Sequence, residues 1–96
     1  MGNELERPYV EFAGKRFLIL GGGVTGSAVA KVLEQLGAFV KIADQTPLLD
    51  FANHPIDDLT NLDYDFAVVS PGWKPNHPLI RALQDSKVPL TSEIDI

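Results

Sequence analysis

Three glycines at the spacing G-x-G-x-x-G, within Gly21–Gly26, are the residues of this sequence best suited to bind a phosphate. Gly21 permits a tight turn after a strand, Gly23 lets a phosphate approach the backbone without meeting a Cβ, and Gly26 lets a helix pack close to that strand. The free N–H groups and the positive end of the helix then face the anion, and the Thr25 hydroxyl is a further candidate donor. The loop therefore predicts a phosphate site, with a purely structural turn as the alternative.

Two further segments come directly after predicted strands, and ligands of open parallel sheets bind beyond such strand ends. Asp44 stands where dinucleotide-binding domains carry the acid that accepts hydrogen bonds from a ribose diol. A carboxylate there would repel a 2′-phosphate, so NADP is not expected. Asp44 could instead contact the edge of a base or cap the following turn. In Ser70-Pro71-Gly72, Pro71 fixes the backbone direction and Gly72 allows a close approach. This segment is either a binding loop or a plain turn.

The remaining polar and aromatic residues form no catalytic constellation. The sequence has no G-x-x-x-x-G-K-[ST] loop, no H-E-x-x-H and no cysteine. His54 and His77 are too far apart in sequence to suggest a metal site by themselves. His77 is interpreted as a helix-start residue, Trp73 as a cover for the end of the sheet and Lys74 as a solvated charge. We therefore predict no catalytic residue and no metal ligand in this chain.

Composition and charge narrow the set of partners. A net charge of −5, with eight scattered Lys and Arg residues, argues against a nucleic-acid partner, which needs a basic surface. No apolar run approaches the roughly 18 residues of a membrane span. The N-terminus is acidic where a signal peptide would be basic. We expect a cytoplasmic protein that binds neither nucleic acid nor membrane, whereas a phosphate-bearing small molecule stays open because backbone N–H groups can bind it.

The apolar pattern around the glycine loop predicts a β–α–β unit. Phe17–Leu20 is a short apolar run typical of a strand buried on both faces, and Phe39–Ala43 indicates a second strand. A helix between them ends at Gly37. Apolar residues at helical spacing form its predicted inner face: Ala28, Val29, Val32, Leu33 and Leu36. Polar residues form its predicted outer face: Lys31, Glu34 and Gln35.

The second half of the chain repeats the alternation of strand and helix. Residues 66–70 read as a buried strand, a helix runs from about Pro78 to Ser86, and residues 89–92 start a last short strand. The inner stripe of this helix is predicted to be Leu79, Ile80 and Leu83. Prolines interrupt residues 45–65, which predicts a short helical turn and irregular links. The prediction is an α/β, three-layer Rossmann-like domain with a mainly parallel sheet of about five strands, the third reduced or absent.

An ordered series of motifs resembles the N-terminal domain of the Mur ligases, the amide-forming enzymes of peptidoglycan synthesis. The series runs from the glycine loop through Ile42-Ala43-Asp44, Val68–Gly72 and His77-Pro78-Leu79 to Thr91–Ile94. Its most specific part is Ser-Pro-Gly followed by His-Pro, which dehydrogenases do not share. The resemblance covers residues 14–96 and implies an N-terminal extension at 1–12 and a UDP-binding domain at 13–96, excised from a three-domain ligase.

The resemblance also implies a reaction and a set of ligand contacts. The motifs are most similar to those of the ligases that join D-glutamate to UDP-N-acetylmuramoyl-L-alanine with ATP and magnesium, through an acyl phosphate. The implied UDP contacts are Gly23, Val24, Thr25, Gly26, Asp44, Gln45, Thr46, Ser70, Pro71 and Gly72. The first four would meet the diphosphate, the next three the uracil and ribose, and the last three the other side of the uridine. ATP, magnesium and D-glutamate would bind to domains outside this sequence, so the chain alone is expected to be inactive and to hold no cofactor.

Two other functions fit part of the same pattern. The NAD-binding domain of an oxidoreductase would use the glycine loop and Asp44 equally well. A small domain could also use the loop only as a turn and present its exposed sheet end to a partner. Ser70-Pro71-Gly72 followed by His77-Pro78 favours the ligase over the oxidoreductase and is neutral toward the third function.

Overall fold

The computed structural model describes residues 12–46 and 50–92, and in these it contains a five-stranded sheet and two helices. In chain order the elements are β1 (Arg16–Leu20), α1 (Val24–Gln35), β2 (Phe39–Ala43), β3 (Ala52–Asn53), β4 (Phe66–Val69), α2 (Pro78–Asp85) and β5 (Leu90–Ser92). The predicted N-terminal extension lies outside the described residues except for Phe12. Neither described helix is long and apolar enough to cross a membrane.

The sheet order is β3-β2-β1-β4-β5, so the first strand lies in the centre and the winding reverses between β1 and β4. Every neighbouring pair is parallel, which confirms the predicted α/β class. Backbone hydrogen bonds continue past the strand ends: the Gly21 N–H donates to Ala43 O (2.8 Å) and the Ser70 N–H to Leu20 O (3.0 Å). The loops that follow these strands therefore begin side by side, at the crevice where such sheets bind ligands.

β1 is buried on both faces because its side chains alternate between two apolar cores. Phe17 and Ile19 pack in one core with Leu33 of α1. Leu18 and Leu20 pack in the other with Leu79 of α2. The domain thus has three layers, with the sheet between the two helices, and this double burial explains the continuous apolar run of the sequence. The inner stripe predicted for α2 is confirmed, since all three of its residues are buried.

The inner face of α1 differs from the one predicted by apolar spacing. Leu33 is buried as predicted, but Val32 is 47% exposed and Ala28 is exposed, whereas Ala30 is fully buried. The reason lies in the first turn of the helix, where Gly26 is buried against the glycine loop. Positions 26, 30 and 33 share one helix face. This contact therefore fixes the rotation of α1 and turns Val32 toward solvent.

A buried histidine holds the link between β2 and β4. His54 is 3% exposed, and its ring nitrogens hydrogen-bond with the Tyr64 hydroxyl (2.7 Å) and the Asp58 carbonyl (2.9 Å). Burial, with the charges of Asp58 and Asp63, raises the pKa of Tyr64 to about 12, so its hydroxyl remains a donor. β3 has only two residues, which agrees with the predicted reduction of the third strand.

Shortening Leu33 tests the packing of α1 on the sheet. We expect Leu33→Ala to lower the free energy of unfolding by about 2–5 kcal/mol, because it removes a fully buried side chain and leaves a cavity. The control is Val32→Ala on the same helix, which should change stability by no more than about 0.5 kcal/mol since Val32 faces solvent. Urea unfolding followed by circular dichroism measures both. Equal losses would show that the rotation of α1 is wrong.

Candidate functional site

The glycine loop owes its shape to two glycines that no other residue could replace without a shift of the backbone. Gly21 has φ +104°, a conformation that L side chains rarely adopt, and a Cβ there would strike Ser70. A Cβ on Gly26 would collide with the carbonyl oxygen of Gly21. α1 therefore packs against the end of β1 at backbone distance, as the predicted role of Gly26 requires.

No side chain of the described residues caps the N-terminus of α1. Gly23 is the N-cap residue, and the first hydrogen bond of the helix runs from the Ser27 N–H to Gly23 O (2.9 Å). The N–H groups of residues 24–26 precede it, so α-helical geometry gives them no intrahelical acceptor. No acidic side chain lies in the first turn, and the position of a Cβ on Gly23 has no heavy atom within 4 Å. The space beside Gly23 at this end of the helix is therefore open, which is the arrangement that anion binding needs.

Val24 and Thr25 are predicted phosphate contacts, and the structure describes the side chain of Val24 only. Val24 is 92% exposed, so its side chain touches little and its backbone N–H is the relevant group. The side chain of Thr25 lies outside the described part of the structure, and its predicted hydroxyl donor stays a prediction.

Asp44 connects the end of β2 to the glycine loop. Its Oδ2 accepts a hydrogen bond from the Gly22 N–H (2.6 Å) and its Oδ1 one from the Thr46 N–H (2.9 Å). These two bonds, the one from Gly22 first, hold the pKa of the Asp44 carboxyl below its ordinary value of 3.8. The alternative in which Asp44 caps the following turn is confirmed by the hydrogen bond from Thr46, and the bond from Gly22 also orients the glycine loop. A contact of Asp44 with a ribose or a base stays a prediction. Its remaining lone pairs can still accept from a ligand.

Ser70-Pro71-Gly72 lies against the other side of the glycine loop. The Ser70 hydroxyl donates to Gly21 O at 3.4 Å, a long contact, and the Trp73 N–H closes a turn onto Ser70 O (3.1 Å). Gly72 is exposed, and a Cβ there would have no heavy atom within 4 Å. The segment is therefore both a turn and an open wall beside the phosphate loop.

A cleft of about 520 Å³ opens between the loops that follow β2 and β4. It is lined by Asp44, Gln45, Ile56, Gly72, Trp73, Lys74 and His77. Three of these residues were predicted as ligand contacts from the sequence, whereas Thr46 is exposed beside the cleft without lining it. The cleft extends from the Asp44 side of the glycine loop, so one ligand can reach both.

The four other lining residues are not predicted as ligand contacts by the sequence: Ile56, Trp73, Lys74 and His77. His77 does begin α2 as predicted, because its Nδ1 accepts from the Leu79 N–H (3.1 Å). Trp73 does cover the sheet end, since it packs against one of the cores. Their place in the sequence could have indicated a site for Trp73 and Lys74. Both directly follow residues 70–72, and ligands of parallel sheets bind beyond such strand ends.

A larger hollow, of about 670 Å³, is lined in part by the N-terminal ends of β1 and β2. Several of its polar groups are paired within the chain: His54 with Tyr64 and with the backbone of Asp58, and Arg16 with Asp63 at 2.5 Å. The Asp58 carboxylate accepts from Thr60 and Asn61. These groups stabilise the link between β2 and β4, so the smaller cleft is the candidate site. Among the described residues no group of three or more His, Cys, Asp or Glu side chains could hold a metal ion.

Comparison with known proteins gives a consistent set of relatives. No family model matches the chain. The UDP-N-acetylmuramoylalanine–D-glutamate ligase of Tropheryma whipplei (strain Twist) is 36% identical to it over 99 residues, which cover 92% of this chain and 21% of the relative. The crystal structure of the UDP-N-acetylmuramate–alanine ligase MurC from Thermotoga maritima has the same fold, with a TM-score of 0.74 at 20% identity, covering 84% of this chain and 21% of that one.

An oxidoreductase is a weaker match. The 2-hydroxyacid dehydrogenase of Ketogulonicigenium vulgare Y25 superposes with a TM-score of 0.58 at 27% identity, over 74% of this chain and 25% of that one. The chain spans about a fifth of the length of the curated relatives it matches.

Adding one methyl group at either of two glycines tests the geometry of the loop. We expect Gly26→Ala to lower the free energy of unfolding by about 1–3 kcal/mol, because its Cβ meets the Gly21 carbonyl oxygen and the backbone must shift. Gly23→Ala is the matched control, since its Cβ enters open space, and it should keep near-parental stability. Thermal unfolding of both variants provides the measurement. A Gly26→Ala variant as stable as Gly23→Ala would contradict the close packing of α1.

The two backbone hydrogen bonds to Asp44 predict a dependence of stability on pH. Because the folded-state pKa is lowered, the stabilisation is fully present above the ordinary value of 3.8 and is lost as the pH falls below it. We expect Asp44→Asn to cost about 1 kcal/mol at neutral pH and the gap from the parent to close on acidification. Urea unfolding at a series of pH values measures it.

Asp57→Asn is the control for this titration, because Asp57 is exposed and no hydrogen bond to its side chain is found among the described residues. Its stability should follow the parent across the whole range. A difference in the free energy of unfolding between Asp44→Asn and the parent that stays constant with pH would show that the hydrogen bonds from Gly22 and Thr46 to the ionised carboxylate do not stabilise the fold.

Proposed function

We propose, from the premise that this chain is a homologue of the N-terminal domain of the Mur ligases, that it binds the UDP end of UDP-N-acetylmuramoyl-L-alanine for a D-glutamate ligase, MurD. The observation that carries the proposal is the uncapped N-terminus of α1, which opens beside a cleft of about 520 Å³. A diphosphate fits the first feature and a nucleoside the second. The name of the sequence relative supports uridine as the nucleoside.

The diphosphate would receive hydrogen bonds from the backbone N–H groups at the start of α1. Gly23 leaves the space above them open, and the positive end of the helix dipole adds attraction for the anion. Lys74, exposed on the wall of the cleft, is the cationic side chain among the lining residues. Binding would therefore depend on the backbone more than on any one side chain.

The uridine would lie in the cleft, between the loop that follows β2 and the one that follows β4. Asp44 and Gln45 are on the first side and Gly72 on the second, where an absent Cβ permits close contact. Asp44 is already bonded to the glycine loop, so a hydrogen bond from the ligand would be additional to its structural role. Ser70 and Pro71 would support this wall from behind.

The whole ligase would form an amide in two steps. The alanyl carboxylate attacks the γ-phosphate of ATP to give an acyl phosphate and ADP, and the amine of D-glutamate then displaces inorganic phosphate. The chain spans about a fifth of the length of its relatives, and in such a ligase ATP, magnesium and D-glutamate would be held outside the part that this chain matches. The role of this chain is to hold and orient the nucleotide end of the precursor, in the cytoplasm, where ATP is available.

The second candidate is an NAD-binding domain, which the dehydrogenase similarity and Asp44 favour. Its TM-score of 0.58 is below the 0.74 of the Mur ligase structure. Ligand preference separates the two: the ligase domain should bind UDP more tightly than NAD. Backbone amide shifts of the chain during titration with each nucleotide measure this, and a preference for NAD would remove the ligase proposal.

A branched side chain at Gly23 tests the proposed phosphate site. We expect Gly23→Val to weaken UDP binding roughly tenfold or more, because the new side chain occupies the space of the phosphate while the fold has room for it. Val24→Ala is the matched control: it removes an exposed side chain, keeps the N–H, and should bind UDP like the parent. Isothermal titration of folded protein gives both affinities. Unchanged UDP affinity in Gly23→Val would refute the assignment.

A further inference from the structure

We infer that Trp73, with His77 behind it, is the aromatic wall on which the base of the nucleotide stacks. This inference rests on the proposed function, since it names a residue of the same cleft and the part of the ligand that it meets. Trp73 and His77 are not among the residues that the family resemblance implies for the uridine.

The two rings form one fixed surface on the cleft. Their centroids are 4.5 Å apart and their planes meet at 54°. His77 is held by its cap on α2, where Nδ1 accepts from the Leu79 N–H. Trp73 is half-buried, packs against the core that contains Leu79, and lines the cleft with its remaining surface. An aromatic surface held in this way loses little freedom when a flat ligand stacks on it.

The orientation of the indole points to a ligand that continues toward the glycine loop. Nε1 of Trp73 is 3.1 Å from the position that a Cβ on Gly21 would occupy, so the edge of the ring reaches the loop. The indole N–H has no acceptor among residues 12–46 and 50–92. A ribose or phosphate oxygen at the loop would supply one, while the ring surface meets the base.

The opposite wall suits a polar heterocycle better than an aliphatic group. Asp44 and Gln45 line the cleft together with Trp73, and both carry hydrogen-bonding groups. A base combines a flat apolar face with polar edges, which this pair of walls can match at the same time. Stacking on an aromatic residue is worth roughly tenfold or more in affinity per base.

The chain contains a single tryptophan, so its emission reports on this wall alone. In the parent protein, UDP should shift the amide signals of the glycine loop and also quench the Trp73 emission. Inorganic pyrophosphate, which has no base, should shift the same amide signals with much less quenching. UDP binding seen in those amide signals without any change in emission would overturn the wall and leave the proposed function intact. No binding of UDP by either readout would overturn both.

Substitution separates the ring from the rest of the cleft. Trp73→Leu keeps apolar bulk against the core and should weaken UDP roughly tenfold while pyrophosphate affinity changes much less. Trp73→Phe keeps a ring and loses the N–H, and should weaken UDP by only about threefold. Lys74→Leu, the neighbouring lining residue, should leave the ratio of UDP to pyrophosphate affinity unchanged. Equal losses of affinity for UDP and pyrophosphate in Trp73→Leu would overturn the inference. If that variant does not fold, the fluorescence titration of the parent protein decides the question.

Discussion

The contact on which the site depends is the packing of the first turn of α1 against the carbonyl of Gly21. Only a residue without a Cβ can stand at position 26, because any side chain there would meet the Gly21 carbonyl oxygen. This contact brings the helix to the end of β1 and fixes its rotation. The rotation decides which residues enter the core, Ala30 and Leu33, and it leaves Val32 in solvent. It also sets where the three free N–H groups of the helix lie relative to the edge of the sheet.

Hydrogen bonds then join the neighbouring loops to this one contact. The Asp44 carboxylate holds the loop through the Gly22 N–H, and the Ser27 hydroxyl donates to Gly22 O at 3.0 Å. Ser70 approaches the loop from β4 through its hydroxyl and its backbone N–H. A loop oriented in this way does not need to be ordered by its ligand, so less conformational entropy is lost on binding. These hydrogen bonds join the described residues that directly follow β1, β2 and β4.

Sequence patterns predicted the architecture well because double burial leaves a strong signal. Phe17–Leu20 is an apolar run, and the structure has a strand there that is buried on both faces. Phe39–Ala43 is also a strand, but Phe39 and Lys41 on one of its faces are exposed. The face of α1 was not predictable by apolar spacing, since Ala30 has little hydrophobic signal and the helix is positioned by a glycine. The glycine loop and Asp44 were found from spacing, but the hydrogen bond between Asp44 and Gly22 was not, because several partners suit a carboxylate at a strand end. The sequence predicts that Trp73 covers the end of the sheet, and it does pack against one core. Its remaining surface lines the cleft, which the sequence did not predict.

An acidic chain with a net charge of −5 can hold an anion because binding is decided over a few ångströms. Charges more than about 8–10 Å from the ligand are largely screened at physiological ionic strength. Asp44 is the carboxylate that lines the cleft, and its two oxygens already accept hydrogen bonds from Gly22 and Thr46. The N–H groups at the start of α1, in contrast, have no acceptor in the part of the chain that the structure describes, and no acidic residue lies in the first turn. Local donors therefore outweigh the overall charge, and the same carboxylate that would repel a phosphate at close range instead orients the loop that attracts it.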